Sequence, residues 1–432
     1  MPRSSRATIT LAILVVLPFA SVLGPLPRAG AQAETETDSV SLAEALHAHR
    51  HPVRMGPDGL RGEGGRMLRE RAAEATVTVL GESHGTREIP ALMDALLSPL
   101  QTRGALDVLA LETSPWTTAR MVDSLQEGQA AYNRLLRTYP EAIPFYNLRP
   151  ERDLIARFVD RSERRRPLWG LDQLFAFAGP LAFDRLEALA PSAQARRSID
   201  TIRAAGADQK ATDARLQQLP PSVPTPITVY PPATFDTLRA RFAGSAEATA
   251  LLRELSMSTK IYRLNDTDNY RSNQLRAHYL RKHLRGRVEQ AQARSEHPVQ
   301  IAIKVGGFHA FRGFTPNNAL DVGNLAVELA QRQGGEAFNV AFLCGPGSEA
   351  RAFPDRTTTC WPERLGGTFR TLTENLSEEA DAVVVDLQAL RPLLHDETLT
   401  PRESVEQLIW GLDALVLVPG ARPAERVVSL AQ

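Results

Sequence analysis

Four apolar runs in this sequence of 432 residues each give way to a titratable residue. VTVLG is followed by Glu82, Ser83, His84 and Gly85, VLAL by Glu112, LWGL by Asp172, and IAIKVGG by Phe308 and His309. Imidazole beside carboxylate is the pairing that general acid–base chemistry uses. A carboxylate on one ring nitrogen fixes the tautomer and raises the basicity of the other. Glu82 and Glu112 come directly after their runs, and Glu is a poor helix cap, so each needs a His or Arg partner to offset its desolvation. Asp172 has an equally good reading as the N-cap of the next helix. A histidine alone in the position of His84 would be structural. Beside two carboxylates, and between Gly81 and Gly85, which permit tight turns, it reads as a general base. Ser83 sits in GESHG, which does not match the G-x-S-x-G elbow, and the sequence has no P-loop, G-x-G-x-x-G or H-E-x-x-H motif. Acyl transfer without a Ser or Cys nucleophile leaves attack by water, promoted by His, with Arg, the second histidine or turn amides meeting the oxyanion.

Two further features belong with this set. Lys304 lies inside an apolar run, where an unpaired cation is costly, so it is expected to reach along the strand toward a carboxylate at the edge. The segment RLNDTDNYRSNQLRAHYLRKHL places Asn265, Asp268 or Asn269, and Arg271 with Asn273 near the start of a helix. At helical spacing these read as binders of an anion or hydroxyl group, or as an ordinary solvated face. His278 and His283 stay with the solvated face.

The elements that must hold these residues are the runs themselves. Val77–Leu80, Val108–Leu111, Leu168–Leu171, Ile301–Val305, Val340–Cys344, Val383–Leu387 and Leu415–Val418 lack period-two alternation and are separated by helical patterns. Strands covered on both faces of a mostly parallel sheet look like this. The fold class is therefore α/β, a three-layer sandwich, and in such a sheet all carboxyl ends of parallel strands share one edge, where ligands bind. Residues 40–432 read as one domain. Within it, residues 180–297 are a mainly helical insertion or cap, with helices over Ala193–Leu219 and Phe235–Leu255 on either side of the proline-rich Pro220–Pro232.

The N-terminus has Arg3 and Arg6, an apolar run from Ile9 to Leu23 broken by Pro18, and small residues at Ala29, Ala31 and Ala33. That is the layout of a cleavable secretory signal over residues 1–33, an uncleaved anchor being the other reading. The expected location is periplasmic or secreted, with no membrane contact after cleavage. Formal charge is zero for the whole chain, and losing Arg3, Arg6 and Arg28 leaves −3. With arginines scattered and lysines confined to Lys210, Lys260, Lys282 and Lys304, nothing points to nucleic acid. The expected partner is a small-molecule substrate. The two cysteines, Cys344 and Cys360, would form a bridge in an oxidising compartment; two unrelated thiols is the alternative.

The blocks LGESHGTREIPALMDALL, VLALET, LWGLDQ, RSNQLRAHYL, KVGGFHAFRG and DALVLVP occur in the order and spacing of the erythromycin esterase-like family. The sequence resembles that family over roughly Val77 to Pro419. The family belongs to a superfamily that also holds the haem-binding ChaN-like proteins and the Tiki/TraB-type proteins. The resemblance implies an α/β/α sandwich with a helical insertion and a hydrolase that needs no metal. It makes His84 the base, Glu82 and Glu112 its orienting carboxylates and His309 the second histidine of the pocket. By the resemblance Arg87 assists the substrate or oxyanion; with it, Asp172, Arg271, Asn273, Lys304 and Arg312 are read as substrate-binding positions. Only Ser83 separates Glu82 from His84, where the esterases show G-E-x-x-H-G, and His309 stands alone where they carry two histidines. A related hydrolase acting on another ester is therefore expected. A site holding a divalent metal, and a non-catalytic site for haem or another ligand, are the competing readings.

Overall fold

The computed structural model describes residues 40–220, 223–353, 355–361, 366–374, 376 and 379–428. The leader read over residues 1–33 lies outside them. The strands are β1 (Arg50–Gly56), β2 (Gly59–Arg61), β3 (Val77–Glu82), β4 (Val108–Leu111), β5 (Leu168–Gly170), β6 (Ile301–Gly306), β7 (Ala337–Cys344), β8 (Glu349–Ala352), β9 (Arg356–Thr359), β10 (Ala382–Asp386) and β11 (Ala414–Val418). Nine form one sheet in the order β2-β1-β10-β11-β7-β3-β6-β4-β5, while β8 and β9 make a separate hairpin. From β11 to β5 every neighbouring pair is parallel; β10 runs antiparallel to β11 and β1, and β2 antiparallel to β1.

The continuous apolar runs are explained by burial on both faces. Along β3, Val77 and Val79 enter one core and Leu80 the other; along β6, Ile301, Ile303 and Val305 oppose Ala302. The helix Glu88–Thr102 fills the face of Leu80, with Ile89, Leu92, Met93 and Leu96 in the same core. The opposite face is covered by Val322–Arg332 and by Leu280, Leu284 and Val288 of Asn269–Gln292. This is the three-layer sandwich.

All seven apolar runs are strands. The strands β1 and β2, at the far edge, were not read. RHPVRMG carries Arg50, His51 and Arg54 and a proline, a composition that does not look like a sheet interior. Between β5 and β6 the described residues are helical and include no strand. The second expected helix is divided: Pro232–Arg239 stops near Gly244 at φ 95°, and Ser245 caps a new helix over Ala246–Thr267. The last helix of this stretch, Asn269–Gln292, packs on the sheet and so belongs to the sandwich.

Cys344, at the end of β7, is bonded to Cys360, just after β9, with Cα atoms 5.8 Å apart. The bridge holds the β8–β9 hairpin against the carboxyl edge of the sheet, where Arg351 donates its backbone N–H to the Gly85 carbonyl at 2.8 Å. Closing a loop of sequence separation 16 removes unfolded-state entropy. A variant with both cysteines changed to serine is therefore expected to lose about 3 kcal/mol in urea unfolding. Reductant should lower the wild-type midpoint to that of the variant and leave the variant unchanged.

Candidate functional site

The sheet order decides the site. β6 lies between β3 and β4, and β5 follows β4, so the four strands that end in titratable residues are consecutive neighbours. Their register sets the heights: Glu82 pairs with Gly306, and Leu111 with both Lys304 and Gly170. Glu82, Glu112, Asp172 and the turn Gly307–Ala310 therefore emerge together at the carboxyl edge.

His84 lies between two carboxylates. Its Nδ1 is 2.7 Å from Glu82 Oε1 and its Nε2 is 3.4 Å from Glu112 Oε2. Its side chain keeps 20% exposure, against 1% for Glu82 and 5% for Glu112, so the ring is the part of this group that meets solvent. Phe145 has φ 64°, a left-handed conformation that bulky residues avoid. Its ring lies flat on the imidazole, 3.9 Å between centroids and 11° from coplanar. Burial opposes a charge on His84, but the hydrogen bonds and charges of Glu112 and Glu82 outweigh it and push the pKa up to about 9. At neutral pH the resting ring is an imidazolium.

Glu112 is where the cations meet. Its Oε1 accepts from Arg276 at 2.6 Å and faces His309 Nε2 at 3.5 Å; its Oε2 accepts the Gly306 backbone N–H at 2.5 Å. Burial favours the neutral acid, yet His309, His84 and Arg276 together hold it well below the usual carboxylate range. A Cβ on Gly306 would stand 2.9 Å from His84 Nε2 and 3.3 Å from Glu112 Oε2, so only glycine leaves this gap open. Gly85 is constrained in the same way: with φ 80°, its Cβ would fall 2.1 Å from the Arg351 carbonyl. His309 turns its Nδ1 to Asp321 at 2.6 Å, while the other oxygen of Asp321 caps the helix Val322–Arg332. Burial and the charge of Arg276 work against protonating His309, but Asp321 and Glu112 together outweigh them and raise its pKa. Arg276 also forks onto Asp172, at 3.1 and 2.5 Å.

Beneath this layer Lys304 is 1% exposed. Its Nζ reaches Glu82 Oε1 at 2.5 Å and Glu151 Oε2 at 2.8 Å. The lysine sits two residues below the strand end, and about 6.6 Å of rise matches the length of its stem.

His84, Glu82, Glu112, His309 and Asp172 thus form one contiguous cluster, and the remaining expectations need correction. Lys304 reaches a carboxylate as read, but it is enclosed among charges and presents nothing to a substrate. Arg271 is 74% exposed beside Asp268, and Asn273 donates to Asn269 at an exposed position. The helix carries Arg276 inward in their place, because Arg271 lies about 140° away around the axis. Arg276 falls on the buried line Ser272–Leu280–Leu284, a pattern visible in the sequence. Arg312 pairs with buried Asp413 and donates to the Ala337 carbonyl, at the start of β7 and so at the opposite end of the sheet. Arg87 is exposed at the N-terminus of its helix, its backbone N–H donating to the Arg422 carbonyl. Ser83 accepts from the Cys344 N–H at 3.2 Å, a structural role. Asp321 and Glu151 went unread because acids at helix starts are commonplace; Phe145 and Tyr146 carried no signal.

The donor set does not suit a metal ion or haem iron. Among the described residues no group of three or more His, Cys, Asp or Glu is arranged to hold a metal ion. Glu82 and Glu112 are already committed to Lys304 and Arg276, and both nitrogens of each histidine face carboxylates. Nor is any described helix long and apolar enough to cross a membrane.

No family model and no curated protein matches the sequence. Solved structures share its fold. A variant of the erythromycin esterase EreC, in its open conformation, superposes with TM-score 0.56 at 14% identity, covering 88% of this chain and 100% of that one. A Bacillus cereus protein gives 0.54 at 13%, covering 89% and 98%, and a succinoglycan biosynthesis protein 0.54 at 13%, covering 89% and 97%. The fold is erythromycin esterase-like.

Removing Arg276 strands two buried carboxylates. Arg276→Met is expected to destabilise the protein by about 3–5 kcal/mol in chemical denaturation. A loss below about 1 kcal/mol would show that Glu112 and Asp172 do not depend on it.

Proposed function

We propose that this chain is an esterase-like hydrolase in which His84 activates water for attack on an ester or lactone carbonyl. The observation that carries this reading is the seat of His84: a partly exposed imidazole with a carboxylate on each nitrogen, at the sheet edge where α/β folds bind ligands. In the neutral ring Glu82 holds the proton on Nδ1, leaving the Nε2 lone pair directed at the looser, 3.4 Å contact with Glu112. A water at that position gives its proton to Nε2 as its oxygen bonds to the carbonyl carbon. The oxyanion is met by His309, whose pKa the Asp321 carboxylate raises, and by Arg276. Collapse breaks the bond to the leaving alkoxide, which takes the proton from Nε2, and acid and alcohol depart. Erythromycin esterase has the same fold, which supports the reaction class and leaves the substrate open.

The readout is turnover of ester and lactone panels. His84→Ala is expected to lower kcat/KM by about 10²–10⁴-fold; unchanged turnover would sink the assignment. Because the resting ring is protonated, kcat/KM should rise with pH and level off above about 9. Glu112→Gln removes one of the anions holding the proton, so its rising limb should lie at lower pH.

We also propose that the protein works in the periplasm or is secreted. The leader-like N-terminus and the Cys344–Cys360 bridge support this, since disulfides persist in oxidising compartments. N-terminal sequencing of protein from the extracytoplasmic fraction should begin near residue 34; intact Met1 in the cytosol would refute it.

A further inference from the structure

We infer that Lys304 and Glu151 are positioning residues, a buried ion pair that determines how much negative charge Glu82 presents to His84. The inference rests on the hydrolase reading for its catalytic consequence, but not for the coupling itself.

Glu82 serves two cations through one oxygen. His84 Nδ1 and Lys304 Nζ both lie on Oε1, at 2.7 and 2.5 Å, while Oε2 is buried with no hydrogen-bond partner among the described residues. Lys304 alone would neutralise Glu82 and leave the imidazole with only Glu112 as its anion. Glu151, fully buried in the first turn of Arg149–Asp160, lies 2.8 Å from the same ammonium on its other side. With Glu151 ionised, the triad Glu82–Lys304–Glu151 carries a net −1 behind His84. With Glu151 protonated, the triad is neutral. Solvent does not screen the difference, because Glu82, Lys304 and Glu151 are all buried.

The surroundings make Glu151 titratable. Lys304, Glu82 and His84 face it, together with the buried phenols Tyr132 and Tyr146; the neighbouring Arg152 is bound to Asp153. Burial and the charge of Glu82 outweigh Lys304 and push Glu151 up to about 7. As pH rises through that value Glu151 ionises and strengthens the grip on the His84 proton, so the two titrations oppose one another.

The test is an NMR titration of the His84 ring in the full chain with labelled histidine, its signal assigned by loss in His84→Ala. In Glu151→Gln the His84 midpoint is expected to fall by about one pH unit. A natively folded Glu151→Gln protein with an unmoved midpoint would overturn the inference. If that variant does not fold, the wild type decides: His84 should show a smaller inflection near pH 7 besides its own near 9, and a single inflection overturns the coupling. No substrate is involved. A displaced midpoint without hydrolysis would refute the hydrolase and keep the coupling, whereas hydrolysis with an unmoved midpoint would refute the coupling alone.

Discussion

Charge buried at the end of a parallel sheet is the constraint around which the molecule is organised. A lone carboxylate in that place would take up a proton rather than ionise. Glu112 stays ionised because a guanidinium, two imidazoles and a backbone N–H converge on it from three different elements. Each of the three side-chain donors has a second anion behind it: Asp172 for Arg276, Glu82 for His84, Asp321 for His309. The result is an alternating lattice of charges in which each member fixes the ionisation of the next. Such a lattice contributes modestly to stability but is costly to interrupt.

In the proposed reaction, that alternation governs how His84 can act as a base. A histidine with one carboxylate is a primed base; with two it becomes a stored proton, and its use as a base depends on loosening the weaker contact. Of the two contacts, 2.7 Å to Glu82 and 3.4 Å to Glu112, the second is the looser. Phe145 closes one face of the ring, and Gly306 keeps the gap between His84 Nε2 and Glu112 clear.

How much of this was legible depended on whether the signal was local. Strand ends announced themselves, since GESHG, Glu112, Asp172 and His309 each follow an apolar run. Their adjacency was not written locally: nothing near Val77 says that β6 will pair with it ahead of β4. Helix phase misled where composition was read without it, so Arg271 and Asn273 were preferred to Arg276, which lies on the buried line. Asp321 and Glu151 looked like any acid in a first helical turn, and only tertiary contacts reveal their second partners. The strand β1 was hidden by its charges, and Arg312 by its nearness in sequence to His309; the chain leaves the edge after the turn and carries it to the other end of the sheet.

The wedging of β6 between β3 and β4 also bears on how the chain acquires its structure. Residues 77 and 301 pair side by side, although the whole helical stretch is synthesised between them. Joining such distant partners adds little to the thermodynamic cost, since closure entropy grows only with the logarithm of loop length, but long-range pairing is slow. Until β6 arrives, β3 and β4 each have an unpaired edge on that side, open to pairing with other chains. Aggregation during refolding should therefore be governed by how quickly this one strand finds its slot.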